Sequence, residues 1–118
     1  MYPQRFIAER NIDNFHSRLL FEEEPGARDL LLRLLIEEED RFGGRQEQIS
    51  IVQERIIRGA TLIQKQQDVL SDIRKRNGDS GQALRLLSNF VETQELLYRR
   101  LYILECLTRK ELSDISRL

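Results

Sequence analysis

Disulfides, metal centres and phosphate-binding loops have little to build on in this sequence. Its 118 residues include one cysteine, Cys106, one histidine, His16, two prolines, six glycines and no tryptophan. A single thiol rules out an internal disulfide and suits the cytosol, where thiols stay reduced. One imidazole cannot supply the paired Glu-x-x-His ligands of a di-iron bundle, and no Glu-x-x-His occurs. There is no glycine-rich phosphate loop, Ser-x-x-Lys element or nucleotide motif, and Gly43-Gly44-Arg45 reads as a hinge. An excess of one charge is missing too. Nineteen Lys and Arg against twenty Asp and Glu leave a net charge of −1, which gives no electrostatic case for nucleic acid or an anionic membrane. No apolar run approaches the roughly 20 residues of a membrane helix. The opening Met1-Tyr2-Pro3-Gln4-Arg5 leads into a charged amphipathic segment and carries no signal-peptide pattern. The expectation is a cytoplasmic protein with no cofactor and no metal, binding neither nucleic acid nor membrane.

Helical periodicity is abundant. Steps of three and four from Ile49 land on Val52, Ile56, Gly59, Ile63, Gln66, Leu70 and Ile73. This is a heptad stripe, and the lack of period-two alternation excludes a strand. Arg45, Glu47, Glu54, Arg55, Arg58, Lys65, Asp68, Arg74 and Lys75 fall off the stripe and read as a solvated face. From Ala83 the same walk gives Leu87, Phe90, Gln94, Leu97, Leu101 and Leu104, then Thr108, Glu111 and Ile115, where apolar character fades. Leu84, Leu86, Val91, Leu96, Tyr98, Tyr102, Ile103 and Leu107 widen this second stripe, as suits a helix with more than one neighbour. Asn77-Gly78 is a helix stop, with Arg74, Lys75 and Arg76 favourably placed in the last turn. Asp79 or Ser80 then supplies an oxygen to the next helix.

Folding at this turn makes contacting residue numbers sum to roughly 157. Leu70 then faces Leu87, Ile73 faces Ala83 and Leu84, and Gln66 falls between Phe90 and Gln94. Two readings stay open for Gln66 and Gln94: polar residues that set register, or side chains reaching solvent at the stripe edge. Gly59 gives up about 1 kcal/mol of helix propensity against Ala. It marks a close approach of another helix, near Tyr98 across the hairpin or in a partner chain.

The first 43 residues read as a shorter hairpin. Pro3 fits a first helical turn, and Ala8, Ile12, Phe15 and Leu19 share a face that Phe6, Leu20 and Phe21 broaden, ending near Glu23. Glu24-Pro25-Gly26 breaks the helix. A second helix runs from about Ala27 to Phe42, with Leu30, Leu31, Leu34 and Leu35 apolar. Its acidic run Glu37-Glu38-Glu39-Asp40 reads as a solvated face, unfavourable at a helix C-terminus and partly offset by Arg41 and Arg45. The fold class is therefore all-α: one domain over residues 1–118, an antiparallel four-helix bundle of a short hairpin (1–43) and a long coiled-coil-like hairpin (45–118). Helices of about 20 and 16 residues span roughly 30 and 24 Å, whereas helices of about 32 and 38 span roughly 48 and 57 Å. A short hairpin cannot cover so long a stripe: either the long helices break, or a homodimer or another protein partner covers the rest, and the homodimer is the expectation. The candidate interface residues are Gly59, Gln66, Gln94, Tyr98, Leu101, Leu112 and Ile115.

Asn11-Ile12, Phe15 and Leu19-Leu20, followed by Arg28, Leu31, Leu34-Leu35 and Glu37-Glu38-Glu39, resemble a short helical hairpin of small alphaproteobacterial (rhizobium-type) proteins. Ile56, Ile63, Gln66 and Leu70, then Asp79, Ala83, Leu86-Leu87, Phe90, Thr93, Leu97 and Arg100, are similar to a second hairpin of that group. The resemblance implies a bacterial, cytosolic helical protein and transfers no catalytic residue. Phe21 and Pro25-Gly26 depart from it, standing where more polar residues are expected. His16 invites comparison with phosphotransfer bundles. His16-Ser17-Arg18-Leu19-Leu20 matches neither the acidic-then-Pro nor the Lys-Gly pattern of such sites, so a surface or boundary histidine is the plainer reading. Glu22-Glu23-Glu24 reads as a solvated face, and Cys106, between Leu104 and Leu107, as a buried structural cysteine. The expected function is a non-enzymatic interaction or scaffold module. The alternatives are a signalling phosphotransfer or sensor-associated module using His16, and a regulator holding an apolar ligand between helices.

Overall fold

Each chain reversal is made by local chemistry, and the architecture follows from three of them. The computed structural model describes residues 3–116, with the side chains of residues 3–6, 42 and 116 excepted; the expectations for Met1, Tyr2, Phe6 and Phe42 lie outside the described residues. Four helices run in order: α1 (Pro3–Phe21), α2 (Pro25–Phe42), α3 (Arg45–Lys75) and α4 (Gly81–Ser116). No strand occurs among the described residues, and the all-α fold is as the periodicity predicts.

The first reversal falls earlier than expected, at residues 22–24 rather than at the Pro-Gly pair. Glu24 caps α2: its carboxylate accepts from the Gly26 and Ala27 amides at 2.9 and 2.6 Å. Pro25 then occupies the first helical position, where its missing donor is harmless. The third reversal follows its sequence signal. Asn77 takes the left-handed conformation, with φ 56°. Its amide donates to the Arg74 carbonyl at 3.1 Å, and the Gly78 amide donates to the Ile73 carbonyl at 3.0 Å. That pair of bonds is the Schellman motif, which meets carbonyls a helix end leaves open. Asp79 rather than Ser80 supplies the side-chain oxygen, accepting from the Gly81 amide at 3.0 Å.

Within the long hairpin, Val52 and Ile56 of α3 are buried against Leu97 and Leu104 of α4, with Ile49 and Leu101 at the margin. Both glutamines bond across the hairpin rather than reaching solvent at the stripe edge. Gln94 is buried and donates to the Ile56 carbonyl at 2.7 Å. Gln66, half-buried, donates to the Ala83 carbonyl at 3.0 Å, seven residues nearer the turn than Phe90. Backbone carbonyls, rather than each other or solvent, meet both amides, because a Gln side chain is long enough to reach past its facing residue. Gly59 is corrected in the same way. It faces Gln94 of its own chain, not Tyr98.

Ile12 and Leu19 of α1 and Leu31 and Leu35 of α2 form a second apolar cluster, which Ile51 of α3 joins. The short hairpin therefore lies against the N-terminal half of α3. Arg28 of α2 reaches Asn89 and Thr93, and Arg100 of α4 reaches Glu39, so α2 and α4 run the same way. The turn between α3 and α4 projects beyond the short hairpin, and the molecule measures 65 × 30 × 29 Å. Both long helices stay unbroken.

A Cβ on Gly59 would overlap the Gln94 carboxamide, standing 2.9 Å from its Cδ. Gly59→Ala alone should thus bring no gain in stability, despite roughly 1 kcal/mol of helix propensity. In a Gln94→Ala background the same change should stabilise by about that amount, as read from urea midpoints in a double-mutant cycle. Additive effects of the two substitutions would contradict this packing.

Candidate interaction surface

Several polar and charged side chains are turned inward. Arg28 is buried and meets no carboxylate. Its Nη1 donates to the Leu19 and Glu22 carbonyls at 2.5 and 3.0 Å and to Asn89 Oδ1 at 2.9 Å, and its Nη2 to Thr93 Oγ1 at 2.9 Å. Asn89 Nδ2 donates to the Leu20 and Glu22 carbonyls at 2.6 and 2.9 Å. The open C-terminal carbonyls of α1, the negative end of its dipole, are thus met by one residue from α2 and one from α4. Sequence reading marked Arg28 only through the resemblance and did not single out Asn89. Nothing in periodicity distinguishes a capping Asn from an exposed one.

A second joint corrects the acidic run. Glu38 accepts from Asn11 Nδ2 at 3.0 Å, and Glu39 is fully buried rather than solvated. Arg100 Nε donates to Glu39 Oε2 and Arg100 Nη2 to Asp40 Oδ1, each at 3.1 Å. Burial pushes the Glu39 carboxyl up to about 6, with Arg100 opposing and Asp40 adding to the rise. Gln48 Nε2 donates to the Glu39 and Gly43 carbonyls, closing the end of α2. Arg45 turns to Gln48 and Glu111 and leaves the acidic run to Arg100 and Arg41.

The third joint spans the diagonal between α1 and α3. Arg55, expected on a solvated face, is buried and ion-paired with Asp13, and burial first and Arg58 second pull its guanidinium down to about 10. The cleft beside it, about 150 Å³, is lined by Glu9, Asp13, Glu54, Arg55 and Arg58 with Ile12 and Ile51. Such a charged lining does not suit an apolar ligand.

His16 is not a surface residue. It is 5% exposed, and its Nε2 is buried without a hydrogen-bond partner. Burial, then the nearby Arg58 charge, pushes the imidazole down to about 4. Cys106 is half-buried, less enclosed than expected. Among the described residues no three His, Cys, Asp or Glu side chains are grouped to hold a metal ion, and no helix is long and apolar enough to cross a membrane.

The candidate interface residues divide into two groups. Gly59 and Gln94 are buried inside the hairpin and Gln66 is half-buried there, so none of the three is open to a partner. Leu101 is half-buried against the α3–α4 core. Tyr98, Leu112 and Ile115 are 55%, 60% and 65% exposed. Leu84, Val91 and Tyr102 of α4 and Ile57 of α3 are exposed as well. At about 100° per residue, Tyr98, Val91 and Tyr102 sit roughly half a turn around α4 from Asn89 and Arg100, which face the short hairpin. Ile57 sits about 200° around α3 from Arg55, which faces α1. The exposed stripe therefore lies on the back of the long hairpin. Comparison of the chain with protein-family models, curated proteins and solved structures gives no match.

A histidine held neutral makes stability depend on pH. The unfolded imidazole binds a proton near its ordinary 6.5, and the folded one only near 4, so stability falls as pH drops through that window. The loss is roughly 2 kcal/mol between pH 7 and pH 5. Glu39 acts in the opposite sense, adding stability as pH falls from about 6 towards 4.5. His16→Gln removes the first effect and keeps the second, so its urea midpoint should fall less than wild type between these pH values, or rise. An unchanged pH slope would show that the imidazole is not held neutral.

Proposed function

We propose that this protein is a non-enzymatic, cytoplasmic interaction module that works by self-association or by binding a protein partner through the back of its long hairpin. The observation that carries this is the exposed stripe of Leu84, Val91, Tyr98 and Tyr102 on α4. Exposed apolar side chains gathered on one helix face mark interaction sites, and tyrosines serve both the apolar and the wet side of an interface. The net charge of −1 fits a protein partner better than nucleic acid. Phosphotransfer through His16 is the competing reading. A phosphoacceptor must meet its donor, and the 5% exposure of the imidazole counts against that reading.

Sedimentation equilibrium at micromolar concentration tests the proposal. A mass of twice 14.0 kDa is expected for the wild-type chain. Tyr98→Glu combined with Tyr102→Glu should return it to monomer without loss of helix content, since both positions are exposed. A monomeric wild type that also captures no protein through this face, or a His16-dependent acid-labile label from a phosphodonor, would sink the proposal.

A further inference from the structure

Deepening that reading, we propose that the stripe is a self-complementary dimer interface in which α4 packs antiparallel against α4 of a second copy, with Tyr102 at the twofold axis. Two lines of side chains run along the back of α4. Leu84, Val91, Tyr98, Glu105 and Leu112 recur every seven residues, and Glu95, Tyr102 and Arg109 recur every seven beside them. Seven-residue spacing keeps each set nearly straight along the helix, and an offset of four makes the two lines neighbours.

The charges choose the occupant. Glu95 and Arg109 are exposed and stand seven residues either side of Tyr102. Among the described residues Glu95 meets no cation, and Arg109 reaches the Cys106 sulfur, a weak acceptor, at 3.1 Å. A twofold axis at Tyr102 lays Glu95 against the partner's Arg109, and does so twice. The same operation brings Val91 against the partner's Leu112. It also sets Tyr98 beside the partner's Glu105, whose carboxylate accepts from the phenol. A parallel pairing would set like charge on like. An unrelated protein has no reason to mirror a pattern that complements itself, which is the mark of an isologous interface. With the axis at Tyr102 the matched stretch runs from Val91 to Leu112, about 32 Å, and Leu84 lies outside it. At a width of about 20 Å for two packed helices, the face is roughly 650 Å² per copy, somewhat below the roughly 800 Å² of a standard interface.

The test is a charge swap read by sedimentation equilibrium over a dilution series. E95R and R109E, alone, should each weaken the dimer about tenfold or more, because each opposes like charges twice. The double variant E95R/R109E should return to within about threefold of wild type. Mixing the two single variants should give a heterodimer tighter than either homodimer, since each meets its complement there. Circular dichroism should be unchanged, both sites being exposed. Were a swap to lower helix content, E95Q and R109Q remove charge without reversing it, and each should weaken the dimer by a smaller factor. A wild-type dimer whose dissociation constant ignores every one of these substitutions overturns the antiparallel α4 arrangement and leaves self-association standing. A wild-type monomer overturns both.

Discussion

Helix α1 ends against the flank of α4, and that collision sets the shape of the molecule. The last carbonyls of a helix have no partner within it, and when buried each one left unmet costs about 1–3 kcal/mol. Arg28 and Asn89 meet those of Leu19, Leu20 and Glu22. A buried cation is normally paired with a carboxylate, but here the negative end of a helix dipole and two neutral side-chain oxygens take that part. The geometry of these bonds locates the short hairpin along the long one to within a residue. It thereby decides which length of α3 and α4 is covered and which is left open.

Apolar stripes cannot do this locating alone. A heptad seam shifted by seven residues buries much the same area, so grease is indifferent to register. The polar contacts break that degeneracy. Gln94 reaches Ile56, Gln66 reaches Ala83, and Arg100 reaches Glu39 and Asp40. Each bond exists at one alignment only, and a slipped alignment would leave buried donors unmet. Gly59 belongs to the same device, since the space a Cβ would take is filled by the Gln94 carboxamide. Stability is given up at three other places. Among the described residues His16 Nε2, Arg45 Nε and Arg55 Nε are buried without a hydrogen-bond partner, and burial and Arg58 drive His16 and Arg55 towards their neutral forms.

The histidine is enclosed and the buried Glu39 carboxylate is tied to Arg100. The protein presents the back of a helix pair, where apolar and charged residues alternate along two lines. The front of the same pair is occupied by the short hairpin. One long hairpin thus has two apolar flanks, the first satisfied within the chain and the second facing out.

Helix positions, the reversal at Asn77-Gly78, the mismatch in hairpin length and the excess width of the α4 stripe were all legible in the order of residues. They depend on periodicity, on backbone preferences and on 1.5 Å of rise per residue, which are local properties. The polar residues were misjudged as a class. Arg55, Glu39 and His16 look like surface residues because each is polar, and Gln94 stands in the apolar stripe with its role left open, yet all four are buried. Their burial is decided by partners such as Asp13, Arg100 and the Ile56 carbonyl, which lie 42, 61 and 38 residues away. A charge or amide goes inside when a matching group waits there, and one-dimensional order cannot say which distant residue that will be.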